Sequence, residues 1–143
     1  MAVIGFNLKK ILVERKSLVR GDVKVSTKTK ITDVKEESRK IAAGKDSLSF
    51  DFEFSIKYFG VGDHKGDLAD VVFQGSVLCL IDPKDTKKIM EGWKKQEVPM
   101  DLKLSILNTI LSKCTVRALD LEEELGLPPH TPLPKFKETT DKK

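Results

Sequence analysis

Four stretches of the chain have strand patterns: the first is β-prone near its end, and the other three alternate between apolar and polar residues, as strands with one buried face do. The third has the strongest alternation and places Phe50, Phe52 and Phe54 on one face, which another layer of the fold must cover. The fourth is apolar on one face and, near its end, partly apolar on the other. The pattern predicts strands within residues 6–15, 23–32, 48–58 and 68–81.

Two helical patterns follow the strands. Asp82-Pro83 opens a short helix that carries Ile89, Met90 and Trp93. A long helix follows, because apolar residues recur there at alternating steps of four and three. The residues of this seam are Met100, Leu104, Leu107, Leu111, Cys114, Ala118, Leu121 and Leu125.

The end of the long helix has a clear signal. Gly126 permits a left-handed turn, Leu127 can fold back on the helix, and Pro128-Pro129 bars further helical hydrogen bonding. Strands followed by helices predict an α+β fold, with a four-stranded antiparallel meander and both helices on one face. We expect a single domain over residues 1–143, ordered at about 6–136, with a disordered tail at 137–143.

The long helix is apolar on a second face, which Leu102, Ile106 and Ile110 form. A four-stranded sheet on one side covers less apolar surface than this, so we expect the chain to be an oligomer. The predicted interface residues are Leu104, Leu107, Leu111 and Cys114.

Large apolar residues also meet where the two helices join. They can form core or a subunit interface, or they can line an adaptable groove for another polypeptide. The residues of this predicted groove are Met90, Trp93, Leu102, Ile106 and Ile110.

Composition narrows the class of protein. The chain has 26 Lys and Arg against 22 Asp and Glu, and this net charge of +4 does not by itself indicate a nucleic-acid-binding protein. Charged residues make up 34% of the chain and side-chain amides are few, a bias typical of proteins from hot environments. The sequence shows no signal-peptide or membrane-spanning pattern, so we expect a cytoplasmic protein.

Residues able to carry catalysis or bind a metal are sparse. Asp63, His64, Asp67 and Asp70 form a cluster of the kind that a general base or metal site needs, but a solvated glycine-rich loop explains them more simply. His130 lies in the proline-containing exit segment with no acid beside it in the sequence. We therefore predict neither an enzyme nor a cofactor.

The cysteines and the lysines of the second strand have simple interpretations too. Cys79 and Cys114 stand alone within apolar patterns, as buried thiols do, and do not indicate a metal or disulfide pair. Lys24, Lys28 and Lys30 share the polar face of the second strand and could follow a phosphate backbone, but no aromatic residue alternates with them. An edge strand protected by lysines accounts for them more simply than nucleic-acid binding.

The order of elements resembles that of the SecB-type chaperones, which hold unfolded precursor proteins before export. The resemblance spans about residues 6–136, and at motif level it is carried by the helix exit Leu127-Pro128-Pro129 with Leu133-Pro134-Lys135-Phe136. Two features depart from the family: the long helix is about two turns longer, and the chain is basic where the family is usually acidic.

The resemblance implies a chaperone that takes part in protein transport and binds unfolded or precursor polypeptides in apolar grooves. It also implies a dimer of dimers, with the long helices packed between sheets. An adaptor or assembly module with one specific protein partner is the alternative.

Overall fold

The computed structural model describes residues 2–18, 22–37, 42–61 and 66–134. Within them the chain forms one antiparallel sheet and two helices, which confirms the α+β class and the four-stranded antiparallel sheet. The predicted tail at 137–143 lies outside the described residues. The elements are β1 (Ala2–Arg15), β2 (Val23–Glu37), β3 (Asp46–Gly60), β4 (Gly66–Ile81), α1 (Pro83–Trp93) and α2 (Met100–Glu124).

The strand order is β1-β4-β3-β2. A meander is therefore formed by the last three strands alone, and β1 crosses to the far side of β4 instead of pairing with β2. Pairing with β4 gives β1 an apolar neighbour on the core side, where Phe6 lies opposite Val77. Gly75 permits this pairing, because a Cβ there would lie 2.1 Å from the backbone oxygen of Asn7.

The core lies between the sheet and α2. On β3 the alternation holds over its whole length, so that every second residue from Leu48 to Tyr58 is buried on the helix side. The rings of Phe54 and Phe73 stack with centroids 5.9 Å apart, and those of Phe6 and Phe52 lie 5.4 Å apart. These rings give the sheet a continuous apolar surface that α2 covers.

The buried face of α2 differs from the predicted seam. Buried residues recur at every fourth position, at Leu102, Ile106, Ile110, Cys114, Ala118 and Glu122. Met100, Leu104 and Leu111 of the predicted seam are exposed. A row of residues four apart is inclined to the helix axis, so α2 crosses the sheet at an angle. The start of α2 lies near Ile81 and β2. Its end lies near β1, where Arg15 Nη1 donates to Leu125 O at 3.0 Å.

The start of α1 and the end of α2 follow the signals in the sequence. Pro83 occupies the first turn of α1, and the backbone N–H of Asp85 donates to Asp82 O at 2.8 Å. At the end of α2, Gly126 has a φ of 68° and the N–H of Leu127 donates to Glu122 O at 2.8 Å. Leu127 is buried, so this turn directs the exit segment back over the core.

Candidate functional site

The predicted groove is divided between the core and the surface. Leu102, Ile106 and Ile110 are exposed by only 2%, 0% and 0%, because they form the face by which α2 packs on the sheet. This placement corrects their assignment to an open groove: a ligand could reach Ile106 and Ile110 only if α2 left the sheet, and Leu102 only at the depression between the two helices. Met90 and Trp93 remain half-buried at the edge of the core.

Trp93 closes α1 and borders a surface pocket. The chain turns sharply after it, with Gln96 at a φ of 62° and its N–H donating to Trp93 O at 2.7 Å. After this turn, Val98, which precedes α2, and Leu107 of α2 line the same pocket as Trp93. The result is a partly apolar depression at the junction of the two helices, which we call the Trp93 pocket.

The Trp93 pocket lies at the edge of the sheet. All the sheet residues that line it belong to β2, with Ile31 as the apolar member and Thr29 and Lys30 beside it. Its volume is about 190 Å³, the share of about six water molecules in liquid. The pocket therefore admits a side chain of a partner and not a folded element.

The predicted interface residues of α2 have three different environments. Leu104 and Leu111 are exposed by 51% and 47%, and Met100 by 64% on the same seam. Leu107 is half-buried and joins this seam to the Trp93 pocket. Cys114 is fully buried in the core of its own chain, and burial raises the pKa of its thiol to about 12. Cys114 is thus unavailable to a second subunit, whereas Met100, Leu104, Leu107 and Leu111 form what we call the outer stripe.

Other depressions have apolar floors as well. One of about 250 Å³ lies between the two helices over Ile81, Ile89 and Leu102. Another of about 470 Å³ lies beside the last turns of α2, between Leu119 of the helix and Leu133 of the exit segment. Separate side-chain-sized depressions on one protein suit an extended chain that presents several apolar side chains.

The lysines of β2 are exposed along an edge strand, as predicted. Lys30 Nζ lies 3.9 Å from a carboxylate oxygen of Glu53 on the neighbouring strand, so Lys30 points to the sheet face opposite the helices. By register, Lys28 lies on the same face. The edge of β2 is therefore polar and basic on one face and adjoins the Trp93 pocket on the other.

The His64 cluster is only partly described. His64 and Asp63 lie outside the described residues, while Asp67 and Asp70 form ion pairs with Lys16 at 3.8 and 3.0 Å. Across residues 2–18, 22–37, 42–61 and 66–134, no group of three or more His, Cys, Asp or Glu side chains is placed to hold a metal ion. No helix in the same ranges is long and apolar enough to cross a membrane.

A buried polar cluster was missed at the level of sequence. His130 has an acid partner after all, because its Nδ1 lies 3.0 Å from both carboxylate oxygens of Glu122. The hydroxyl of Tyr58 donates to the same carboxylate and also lies 2.7 Å from Pro128 O. The available signal was the position of Glu122, four residues after Ala118 on the buried row of α2.

Comparison with known proteins supports the fold and leaves the family open. No family model and no characterised relative matches the sequence. Among solved structures, the chain is similar to the SecB-like chaperone Rv1957 of Mycobacterium tuberculosis, which was solved in complex with a ChAD peptide from the HigA1 antitoxin. The two share 12% identity and superpose with a TM-score of 0.58, over 94% of this chain and 90% of the other. The fold is therefore SecB-like.

Proposed function

We propose that this chain is a SecB-like chaperone that holds unfolded or precursor polypeptides and acts by binding rather than by catalysis. The observation that carries the proposal is the exposed apolar surface around the helix junction, where the Trp93 pocket meets the outer stripe at Leu107. Apolar side chains of an unfolded client gain free energy by leaving water there, with little dependence on sequence. A compact native protein has few such side chains to offer.

In this proposal the client and a second subunit use different parts of that surface. Met90 and Trp93 face the client, together with Ile31 and Leu107 at the pocket. The exposed members of the outer stripe, Met100, Leu104 and Leu111, hold a dimer or tetramer, since Leu104 and Leu111 are only about half covered and would each gain about 1 kcal/mol from full burial. In this proposal Leu102, Ile106 and Ile110, which were predicted to face the client, belong to the core instead.

The test combines two measurements on the same sample. The wild type should strongly suppress the aggregation of an unrelated, thermally unfolded protein, and Trp93→Ala should suppress it less. Light scattering should give a mass above 16.0 kDa, the mass of one chain. No suppression by an intact oligomer would contradict a chaperone function.

An adaptor with one dedicated partner is the second candidate. The solved complex of the similar chaperone with a peptide from one antitoxin favours it. A dedicated partner would bind tightly at a defined site, whereas a general chaperone would protect several unrelated unfolded proteins. Aggregation assays with three unrelated clients separate the two: protection of all three favours the chaperone, and protection of none favours the adaptor.

A further inference from the structure

The edge of β2 beside the Trp93 pocket is a long open strand. β2 pairs with β3 on one side, and no described strand pairs with its other side. It runs for 15 residues, with one irregularity at Thr32. The free backbone N–H and C=O groups of such an edge can bond to an extended polypeptide. A strand added there would lie about 4.8 Å from β2.

The two faces of an added strand would meet opposite chemistry. On the helix side, its side chains would lie next to Thr29 and Ile31 and reach Trp93 and Leu107 across the pocket. On the other side, they would lie next to the exposed Lys24, Lys28 and Lys30. Because successive side chains of a strand point to opposite faces, one extended segment can satisfy both.

The lysines also decide what does not bind there. Two copies of β2 paired edge to edge would bring their lysine rows together, and like charges across strands are destabilising. Lys24 and Lys28 make no ion pair with any described residue, and Lys30 has only the distant Glu53 carboxylate. The row is therefore free to attract acidic side chains.

We propose that β2 binds an extended segment in which apolar residues alternate with Asp or Glu, as an added strand of the sheet. The proposal rests on the proposed function, since it specifies which segments of a client are captured. The apolar residues enter the Trp93 pocket and the acidic ones lie along the lysine row. A client is thus selected by its alternation as well as by its hydrophobicity.

A synthetic peptide that alternates Val with Glu is the probe, and fluorescence of Trp93, the single tryptophan of the chain, is the readout. Three control peptides share its length: one with the same residues in blocks, one with Lys in place of Glu, and one N-methylated on alternate residues so that it cannot bond an edge. The alternating peptide should bind tightest. Equal binding of the block or N-methylated peptide would overturn the proposal.

Charge reversal on the protein tests the lysine row. Lys28→Glu with Lys30→Glu should weaken binding of the alternating Val–Glu peptide by about tenfold, because two attractive contacts become repulsive. It should strengthen binding of the Lys-containing peptide. The control, Lys113→Glu with Arg117→Glu, makes the same charge change at exposed positions of α2 and should leave both affinities unchanged. Equal effects of the two double variants would overturn the proposal.

The same samples separate this proposal from the chaperone function. If the wild type suppresses aggregation but the alternating peptide neither binds nor competes with the unfolded client, the chaperone function stands and strand addition at β2 is wrong. If the peptide binds as described and no unfolded client is protected, strand addition stands and the general chaperone function is wrong.

Discussion

The Nδ1 atom of His130 lies 3.0 Å from each carboxylate oxygen of Glu122, with both side chains almost fully buried. The hydroxyl of Tyr58 on β3 donates to the same carboxylate, and its oxygen lies 2.7 Å from Pro128 O. Three elements therefore meet at one charged group: the sheet, the last turn of α2 and the exit segment. A buried carboxylate is tolerated in a core only when it is bonded in this way.

Removing the carboxylate should be costly. Glu122→Ala leaves His130 Nδ1 without its partner and the Tyr58 hydroxyl with Pro128 O alone, and should lower the free energy of unfolding by about 3 kcal/mol. Urea unfolding followed by circular dichroism measures it. Glu123→Ala, the exposed neighbour, is the control and should stay within about 0.5 kcal/mol. Similar losses for the two variants would show that the buried cluster contributes little.

Stability should fall at alkaline pH. Burial raises the pKa of Tyr58, and the hydrogen bond to the Glu122 carboxylate raises it further. Burial also raises the pKa of the Cys79 thiol to about 11 and that of the Cys114 thiol to about 12. In the unfolded chain these groups ionise near their ordinary values of about 8.5 for Cys and about 10 for Tyr. Because the folded state holds these protons more tightly, the groups contribute their full stabilisation below about pH 8.5. This contribution to the free energy of unfolding is lost as pH rises through their pKa values in the folded protein.

The thiols can be separated from the phenol by pH. Between about pH 8.5 and 10, unfolding free energy should fall by up to about 1.4 kcal/mol per pH unit for each thiol. Cys79→Ala with Cys114→Ala should flatten this part of the profile, whatever it costs in packing. A wild-type stability that is constant from pH 8 to 11 would contradict the assigned burial of these groups.

Two residues at positive φ should respond in opposite directions to substitution. Gly126→Ala places a Cβ at a φ of 68° and should cost about 1 kcal/mol, whereas Gln96→Gly relieves a φ of 62° and should add up to about 1 kcal/mol. Thermal unfolding of the two variants against the wild type measures both. The same sign for both would show that local conformation does not decide the outcome.

The outer stripe should be dispensable for folding and necessary for assembly. Leu104→Asp with Leu111→Asp alters two exposed side chains, so the chain should keep its circular dichroism spectrum and lose its partner subunits. Light scattering against concentration measures the mass. A wild-type mass equal to one 16.0 kDa chain at micromolar concentration would contradict the oligomer.

Local patterns predicted the elements well. The alternation in β3 and the Gly126 turn follow from rules that act within a few residues, and both are observed. The start of β1 was predicted too late. The end of β2 was predicted too early, because charged residues such as Glu36 and Glu37 extend an edge strand at little cost where one face is open to water.

Long-range relations could not be predicted in the same way. The position of β1 beside β4 depends on Gly75, whose meaning appears only when the backbone of Asn7 lies next to it. The core face of α2 depends on the direction in which the helix crosses the sheet, so Ile106 was assigned to a groove although it lies in the core. Trp93 and Leu107 were singled out from the sequence, but Ile31, which completes the pocket, belongs to a distant strand.

The most direct test of polypeptide binding is isothermal calorimetry of the wild-type chain with a reduced, alkylated protein that stays unfolded in buffer. Burial of apolar side chains predicts binding with a negative heat-capacity change that persists in high salt, and no binding of the same protein in its native, disulfide-bonded form. Equal binding of the native form, or no binding of the unfolded one, would contradict the account.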